Sequence, residues 1–237
     1  MAAGSDLCVM PSIDSEKVEP FPNVQKSDKT LLSKQQNIVE DVQQGDKLHP
    51  DENGSDSSFL VEAYYISKDG KIFVQEQKHQ DQLRNKGFGE IFNKEYLLSY
   101  LEALFLLQNG KLKILGKNKE YDFSSLMKIL IRKDKKLLTK YLIYRDLRSK
   151  GYVVKDGFGF GTDFRVYERG DYNKKTSKYV AIGLNEGTTI SAFSFANMVE
   201  QVESMGKSAV IAVVERRGEV IYYKTSQMTF PENKKSK

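Results

Sequence analysis

Cysteine is nearly absent. Cys8 stands alone, which excludes an internal disulfide and any zinc site built on cysteine thiolates. Histidine is almost as scarce: His49 and His79 are the only two, and residues 80–237 contain none. Imidazole is the side chain that ordinarily changes charge near neutral pH, so a neutral-pH general base in that region would have to be something else. No apolar run of about 18 residues occurs, and no membrane span is expected. The N-terminus has no basic region leading into a long apolar core, so no signal peptide is expected. A cytoplasmic protein, with no membrane partner, is the natural expectation.

Proline and aromatics are also unevenly spread. Residues 1–57 hold four of the five prolines and a single aromatic, Phe21. They carry 5 Lys and no Arg against 11 Asp and Glu, a net of −6. Such a segment has too little apolar surface to offset its chain entropy, and it reads as mostly disordered. A short helix around Leu31–Val42 is the one local pattern in it. Residues 58–237 carry 32 basic against 21 acidic residues, a net of +11. A basic body points to an anionic partner, nucleic acid first; a lysine-rich solvated surface is the plain alternative. The basic run at 232–237 reads as a second tail, and the acidic segment as an arm that could occupy the basic body.

Regular structure is expected from about residue 58. Leu60–Ile66 and Ile72–Val74 are β-branched and aromatic runs flanking Lys68-Asp69-Gly70-Lys71, which predicts a hairpin. Gln80–Lys86 predicts a short helix stopped by Gly87. Apolar residues at helical spacing predict helices over Lys94–Gln108, ended by Asn109-Gly110, and over Phe123–Ile131. A strand is expected at Leu112–Leu115 between them. A helix over Leu137–Ser149 should turn Leu138, Tyr141, Leu142 and Leu147 inward and leave Lys140, Arg145, Arg148 and Lys150 wet. Beyond Gly151 the reading is strand (Tyr152–Val154), turn (Asp156-Gly157) and half-buried strand (Asp163–Tyr167). Strands at Tyr179–Leu184, Ala209–Val214 and Val220–Thr225 follow, with a helix over Phe193–Met205. The fold class is α+β. A small N-terminal α/β domain, 58–135, precedes a C-terminal domain, 136–231, with a mixed sheet of about five strands and two helices.

Gly157, Gly159 and Gly161 have the wrong spacing for a GxGxxG fingerprint and lead into a strand, so dinucleotide binding is excluded. The motif LIYRDLRSKGYVVKDGFGFGTDFRVY at 142–167 instead resembles the signature of the archaeal tRNA-intron splicing endonucleases. Gly87-Phe88-Gly89-Glu90, followed by Glu102-Ala103-Leu104-Phe105-Leu106-Leu107, resembles the N-terminal domain of the same family. The resemblance covers about 59–230. It implies the fold above, precursor tRNA as the partner, and cleavage without metal or cofactor. In that chemistry a 2′-hydroxyl attacks the adjacent phosphorus, leaving a 2′,3′-cyclic phosphate and a 5′-hydroxyl end. It needs a base, a cation for the phosphorane charge, and an acid for the leaving oxygen.

The family uses histidine, lysine and tyrosine. The resemblance places the tyrosine on Tyr167 and the lysine on Lys207, just before the strand AVIAVVE. The histidine of an HS-x-Y/F-V-V strand corresponds to Thr176 in Thr176-Ser177-Lys178-Tyr179-Val180-Ala181. A threonine hydroxyl does not titrate near neutrality and cannot replace imidazole. Where relatives tend to carry an arginine for the RNA bulge, this chain has Glu200. Without the base, Tyr167 also reads as a strand tyrosine with a wet hydroxyl, and Lys207 as a cap at a helix end.

The resemblance further implies assembly. A C-terminal apolar strand pairs across a two-fold interface, matched by Val220, Ile221 and Tyr222. An acidic loop plugs a basic cleft, matched in part by Glu215 and Glu219, with Arg216 and Arg217 diluting its acidity. A long apolar edge strand is a liability unless paired. The expectation is a structural, histidine-lacking subunit that pairs with a catalytic one in a hetero-oligomer acting at bulge-helix-bulge sites. Two rivals stand beside it: an active endonuclease with a diverged base such as His79, and a non-catalytic RNA-binding module.

Overall fold

The computed structural model describes residues 60–117, 119–228 and 230. The acidic segment, its expected helix near Leu31–Val42, His49 and the basic tail lie outside the described residues.

The first half is a six-stranded sheet in the order β3-β4-β2-β1-β5-β6. β1 (Val61–Ile66) and β2 (Lys71–Val74) form the expected hairpin, with Tyr65 opposite Ile72. Gly70 supplies the left-handed φ of +66° that the Asp-Gly turn requires. β5 (Leu112–Leu115) returns parallel to β1, and β6 (Glu120–Tyr121) closes that edge. On the other edge lie β3 (Glu90–Phe92) and β4 (Glu95–Leu98), an antiparallel pair joined through Asn93 and Lys94, both with positive φ.

β4 corrects the helix expected from Lys94. Tyr96 and Leu97 belong to a strand that pairs with both β2 and β3, and the helix α2 begins only at Tyr100, running Tyr100–Gln108. Ser99 sets that start. Its hydroxyl accepts the Glu102 N–H at 3.2 Å, and Glu102 Oε2 accepts the Ser99 N–H at 2.9 Å. This reciprocal capping box contributes about 1 kcal/mol. The other helices here are α1 (Gln77–Asn85) and α3 (Phe123–Ile131), the latter capped by Asp122 on the Ser125 N–H at 3.2 Å.

The second half is a five-stranded sheet in the order β11-β10-β9-β8-β7. It comprises β7 (Val153–Gly159), β8 (Thr162–Tyr167), β9 (Tyr179–Asn185), β10 (Ser208–Val214) and β11 (Val220–Thr225). Only the β9–β10 pair is parallel. Helix α5 (Ala192–Ser204) makes that crossover and packs Val199 and Val202 on Val180 and Ala209. The turn expected at Asp156-Gly157 lies further on. Both residues are inside β7, and the reversal is made by Phe160 and Gly161, at φ +40° and +88°. Gly157 is needed for approach rather than turning: a Cβ there would stand 2.4 Å from the Thr162 carbonyl oxygen.

Helix α4 (Leu137–Ser149) joins the halves. Eight of its residues are buried, too many for one stripe. It packs on β7, β9 and β10 while also touching α2 and α3. A β-carbon at Gly183 would meet the Ile143 side chain at 2.7 Å, so glycine lets α4 lie close on β9. Rings continue the link: Phe88, Phe105, Tyr144 and Phe164 follow one another at centroid separations of 6.1, 5.9 and 6.5 Å. One hydrophobic cluster therefore spans both sheets. Of the α4 cations expected to be wet, only Lys150 is exposed. Arg148 lies 3.9 Å from the Phe88 ring centroid and donates to the Lys86 carbonyl at 2.9 Å. Lys140 is partly buried against Asp134 at 3.1 Å. Burial lowers the Lys140 pKa, but the Asp134 hydrogen bond and charge outweigh it and the net shift is upward.

Candidate functional site

Strand order brings the three motif positions to one end of the second sheet. Tyr167 ends β8, Thr176 lies just before β9, and Lys207 just before β10. β8 runs antiparallel to β9 and β9 parallel to β10, with Tyr179 opposite both Val166 and Ser208. The end of one strand and the starts of two others therefore converge.

Lys207 is positioned by the end of α5. Gly206, at φ +68°, lets its N–H reach the Glu203 carbonyl at 2.8 Å, and the Lys207 N–H reaches the Val202 carbonyl at 3.2 Å. This is a Schellman closure. The Lys207 ammonium then donates to the Ser177 carbonyl at 2.9 Å, which ties it to the residue beside Thr176. Its Nζ also lies 5.7 Å from the Phe158 ring centroid. Ser177 is buried, and its hydroxyl is without a protein partner. Thr176 is exposed.

Tyr167 is partly buried and stacks edge-on against Tyr172 at 5.2 Å. Tyr172 in turn stands over Gly87, where an added Cβ would meet its ring at 3.3 Å. The Gly87-Phe88-Gly89-Glu90 turn of the first half is thus packed against the Tyr167 end of the second. Beyond Tyr167, Glu168 accepts from Lys178 at 2.5 Å. That hydrogen bond raises the Lys178 pKa.

A buried ion pair locks the two motif regions together. Lys155, on β7, donates to Glu102 Oε1 and to the Gly89 carbonyl, both at 2.9 Å. Its side chain is 4 % exposed and that of Glu102 3 %. Glu102 Oε2 also accepts the Gly89 N–H at 3.1 Å. The residue that caps α2 therefore also holds the glycine turn against β7. Sequence inspection missed this pair, although the Ser-x-x-Glu capping signal at 99–102 was present.

His79 lies elsewhere. On α1, its Nδ1 accepts the Glu62 N–H of β1 at 3.4 Å and sits 3.4 Å from Glu76 Oε2. Its contacts are with the first sheet, whereas Tyr167, Thr176 and Lys207 gather on the second. Glu200 is exposed on α5. Among the described residues no group of three or more His, Cys, Asp or Glu is arranged to hold a metal ion, and no helix is long and apolar enough to cross a membrane.

The proposed assembly positions lie on the opposite edge. β11 is the outer strand, and Ile221 and Tyr223 face outward, 37 % and 52 % exposed. Tyr222 points the other way, donating to Asp146 Oδ2 on α4 at 2.7 Å. Burial, then this hydrogen bond, push its pKa up. Glu215 and Glu219 close a tight loop through the Glu215 N–H to the Glu219 carbonyl at 2.9 Å. Arg216 leaves the loop toward Glu186, 3.6 Å away.

Comparison with known proteins gives a consistent picture. The sequence model described as "tRNA intron endonuclease, catalytic C-terminal domain" matches residues 137–222, and "tRNA intron endonuclease, N-terminal domain" matches 67–127. A protein named tRNA-splicing endonuclease from Pyrococcus abyssi is 33 % identical over 168 residues, covering 70 % of this chain and 96 % of its own length. One of the same name from Thermococcus onnurineus is 36 % identical over 161 residues, covering 68 % and 93 %. A third, from Methanococcus vannielii, is 36 % identical over 156 residues, covering 65 % and 88 %.

Proposed function

The chain belongs to the tRNA intron endonuclease family, and from that premise we propose that it is the structural subunit of a tRNA-splicing endonuclease. It pairs with a histidine-bearing catalytic subunit and contributes to excision of introns from precursor tRNA at bulge-helix-bulge sites. The observation that carries the reading is Thr176. It occupies the loop beside Lys207 and Tyr167, where the family's chemistry needs a base, and it cannot take a proton from a 2′-hydroxyl near neutral pH. His79, bonded to the first sheet, is poorly placed to substitute. Loss of a general base typically costs about 10²–10⁴-fold in rate.

In this reading Tyr167 and Lys207 are retained family positions that lack only the base needed for cleavage. The Lys207 ammonium uses one of its three donors on the Ser177 carbonyl, a bond that suits a helix-end cap. The exposed apolar side chains of β11, Ile221 and Tyr223, support an edge that adds a partner strand. Tyr222 contributes from behind by fixing β11 to α4.

The test is reconstitution. The chain and a histidine-bearing subunit are mixed, and the product is sized by light scattering and assayed on bulge-helix-bulge RNA. A hetero-oligomer that cleaves supports the proposal. A chain that stays monomeric with every such subunit and binds RNA alone would favour a plain RNA-binding module.

A further inference from the structure

Phe158 is the feature that the family positions leave unexplained. Between Asp156 and Gly159, β7 carries one more residue than the β8 segment it faces, since Asp156 pairs with Phe164 and Gly159 with Thr162. This is a β-bulge, a device that re-aims a side chain. It is closely held. The Thr162 hydroxyl accepts the Phe158 N–H at 3.1 Å and donates to the Gly159 carbonyl at 2.9 Å. Gly157 admits the Thr162 backbone where no Cβ would fit.

The result is a phenylalanine that is 40 % exposed with two cations near its ring. Arg165 lies 5.3 Å and Lys207 5.7 Å from the centroid. Arg165 is fixed in turn by its Nε donating to the Asp156 carbonyl at 2.6 Å and by Glu90 at 3.8 Å. A second aromatic, Phe160, is 43 % exposed at the tip with a left-handed φ of +40°. Single exposed apolar residues are ordinary. A part-exposed aromatic re-aimed by a bulge, with the cations of Arg165 and Lys207 close to its ring, is a different arrangement. It offers a π-face for a base and positive charge for the adjoining phosphate, the combination that binds unpaired nucleotides.

We propose that Phe158 is a nucleobase-stacking residue, taking one unpaired nucleotide of the RNA while Arg165 and Lys207 meet its phosphate. The inference rests on the RNA-binding part of the proposed function and adds a subsite to it. Because stacking uses the face of the base, the subsite should tolerate any base.

Three fluorescent RNAs test it by anisotropy with the full chain: a bulge-helix-bulge RNA, the same RNA with abasic bulges, and a fully paired duplex. Wild type should prefer the intact bulged RNA. Phe158→Ala should weaken that RNA by about five- to 150-fold, the loss of one stack, and leave the abasic RNA unchanged. Phe158→Trp should retain the preference, with circular dichroism confirming that both variants fold. Lys207→Ala should weaken all three RNAs together and reduce the salt slope by about one. Phe158→Ala with unchanged binding, or with equal loss on intact and abasic RNA, overturns the stacking role while the RNA-binding reading stands. Wild type that binds bulged RNA and duplex equally overturns the stacking subsite alone, and wild type that binds none of the three RNAs overturns both.

Discussion

Removing one partner of the Lys155–Glu102 pair should unfold the junction that positions the site. Both side chains are almost fully buried and 2.9 Å apart. Breaking such a pair leaves an uncompensated buried charge and costs about 3–5 kcal/mol. The local bonds refine that range. Lys155→Met leaves the Glu102 carboxylate with two backbone donors, the N–H groups of Gly89 and Ser99, so the loss should be at the lower end, about 3 kcal/mol. Glu102→Leu leaves the Lys155 ammonium with the Gly89 carbonyl, the exposed Glu90 and the Tyr172 ring, and also removes the capping box. About 4–5 kcal/mol is expected there. Against a total of roughly 5–15 kcal/mol for a typical domain, either loss is large. The double variant Lys155→Met/Glu102→Leu removes both charges and should lose less than the two singles combined, with a coupling of at least about 2 kcal/mol. Urea unfolding followed by circular dichroism and tyrosine fluorescence measures all four corners. Single losses below about 1 kcal/mol, or strict additivity, would refute the claim that this pair ties the two halves together.

Asp122→Ala should cost about 1 kcal/mol by removing the α3 cap. The Ser125 side chain, then its backbone N–H, hold the Asp122 carboxyl below its ordinary pKa. Its contribution is therefore complete above about pH 4 and is lost as pH falls through the lowered value. The variant's stability, measured by denaturation from pH 7 down to 2, should consequently fall less steeply in acid than that of wild type. Gly157→Ala puts a Cβ against the Thr162 carbonyl oxygen. It should destabilise by more than about 1 kcal/mol in thermal unfolding and weaken binding to bulged RNA, through the bulge rather than through charge. Under the proposed function, Thr176→His puts an imidazole where the base is missing, in an exposed loop beside Lys207. It should give the lone chain cleavage at least about 100-fold above wild type, with 2′,3′-cyclic phosphate ends resolved by gel mobility before and after acid treatment.

Legibility in the sequence followed the range of the interactions. Helices α3 and α4 were readable because apolar periodicity acts locally, as does the Gly151 that follows α4. The β1–β2 hairpin was readable because Asp69-Gly70 specifies its own turn. β4 was not, since Tyr96 and Leu97 continue the spacing of α2 and only pairing with β2 and β3 makes them a strand. The β7–β8 turn was misplaced because glycine has two uses: Gly157 admits a neighbouring backbone, whereas Gly161 turns the chain. Arg148 and Lys155 were hidden for another reason. Their partners are Lys86, Gly89 and Glu102, up to 66 positions away, and a cation in a sequence does not announce burial. The convergence of Tyr167, Thr176 and Lys207 could be anticipated only through the family resemblance; strand order supplies its physical cause.

The central claim is that this chain retains the fold but not the base. It is tested most directly by single-turnover incubation of excess wild-type chain, alone, with bulge-helix-bulge precursor RNA. No cleavage above the protein-free control is predicted. Robust, site-specific cleavage yielding 2′,3′-cyclic phosphate ends would contradict it.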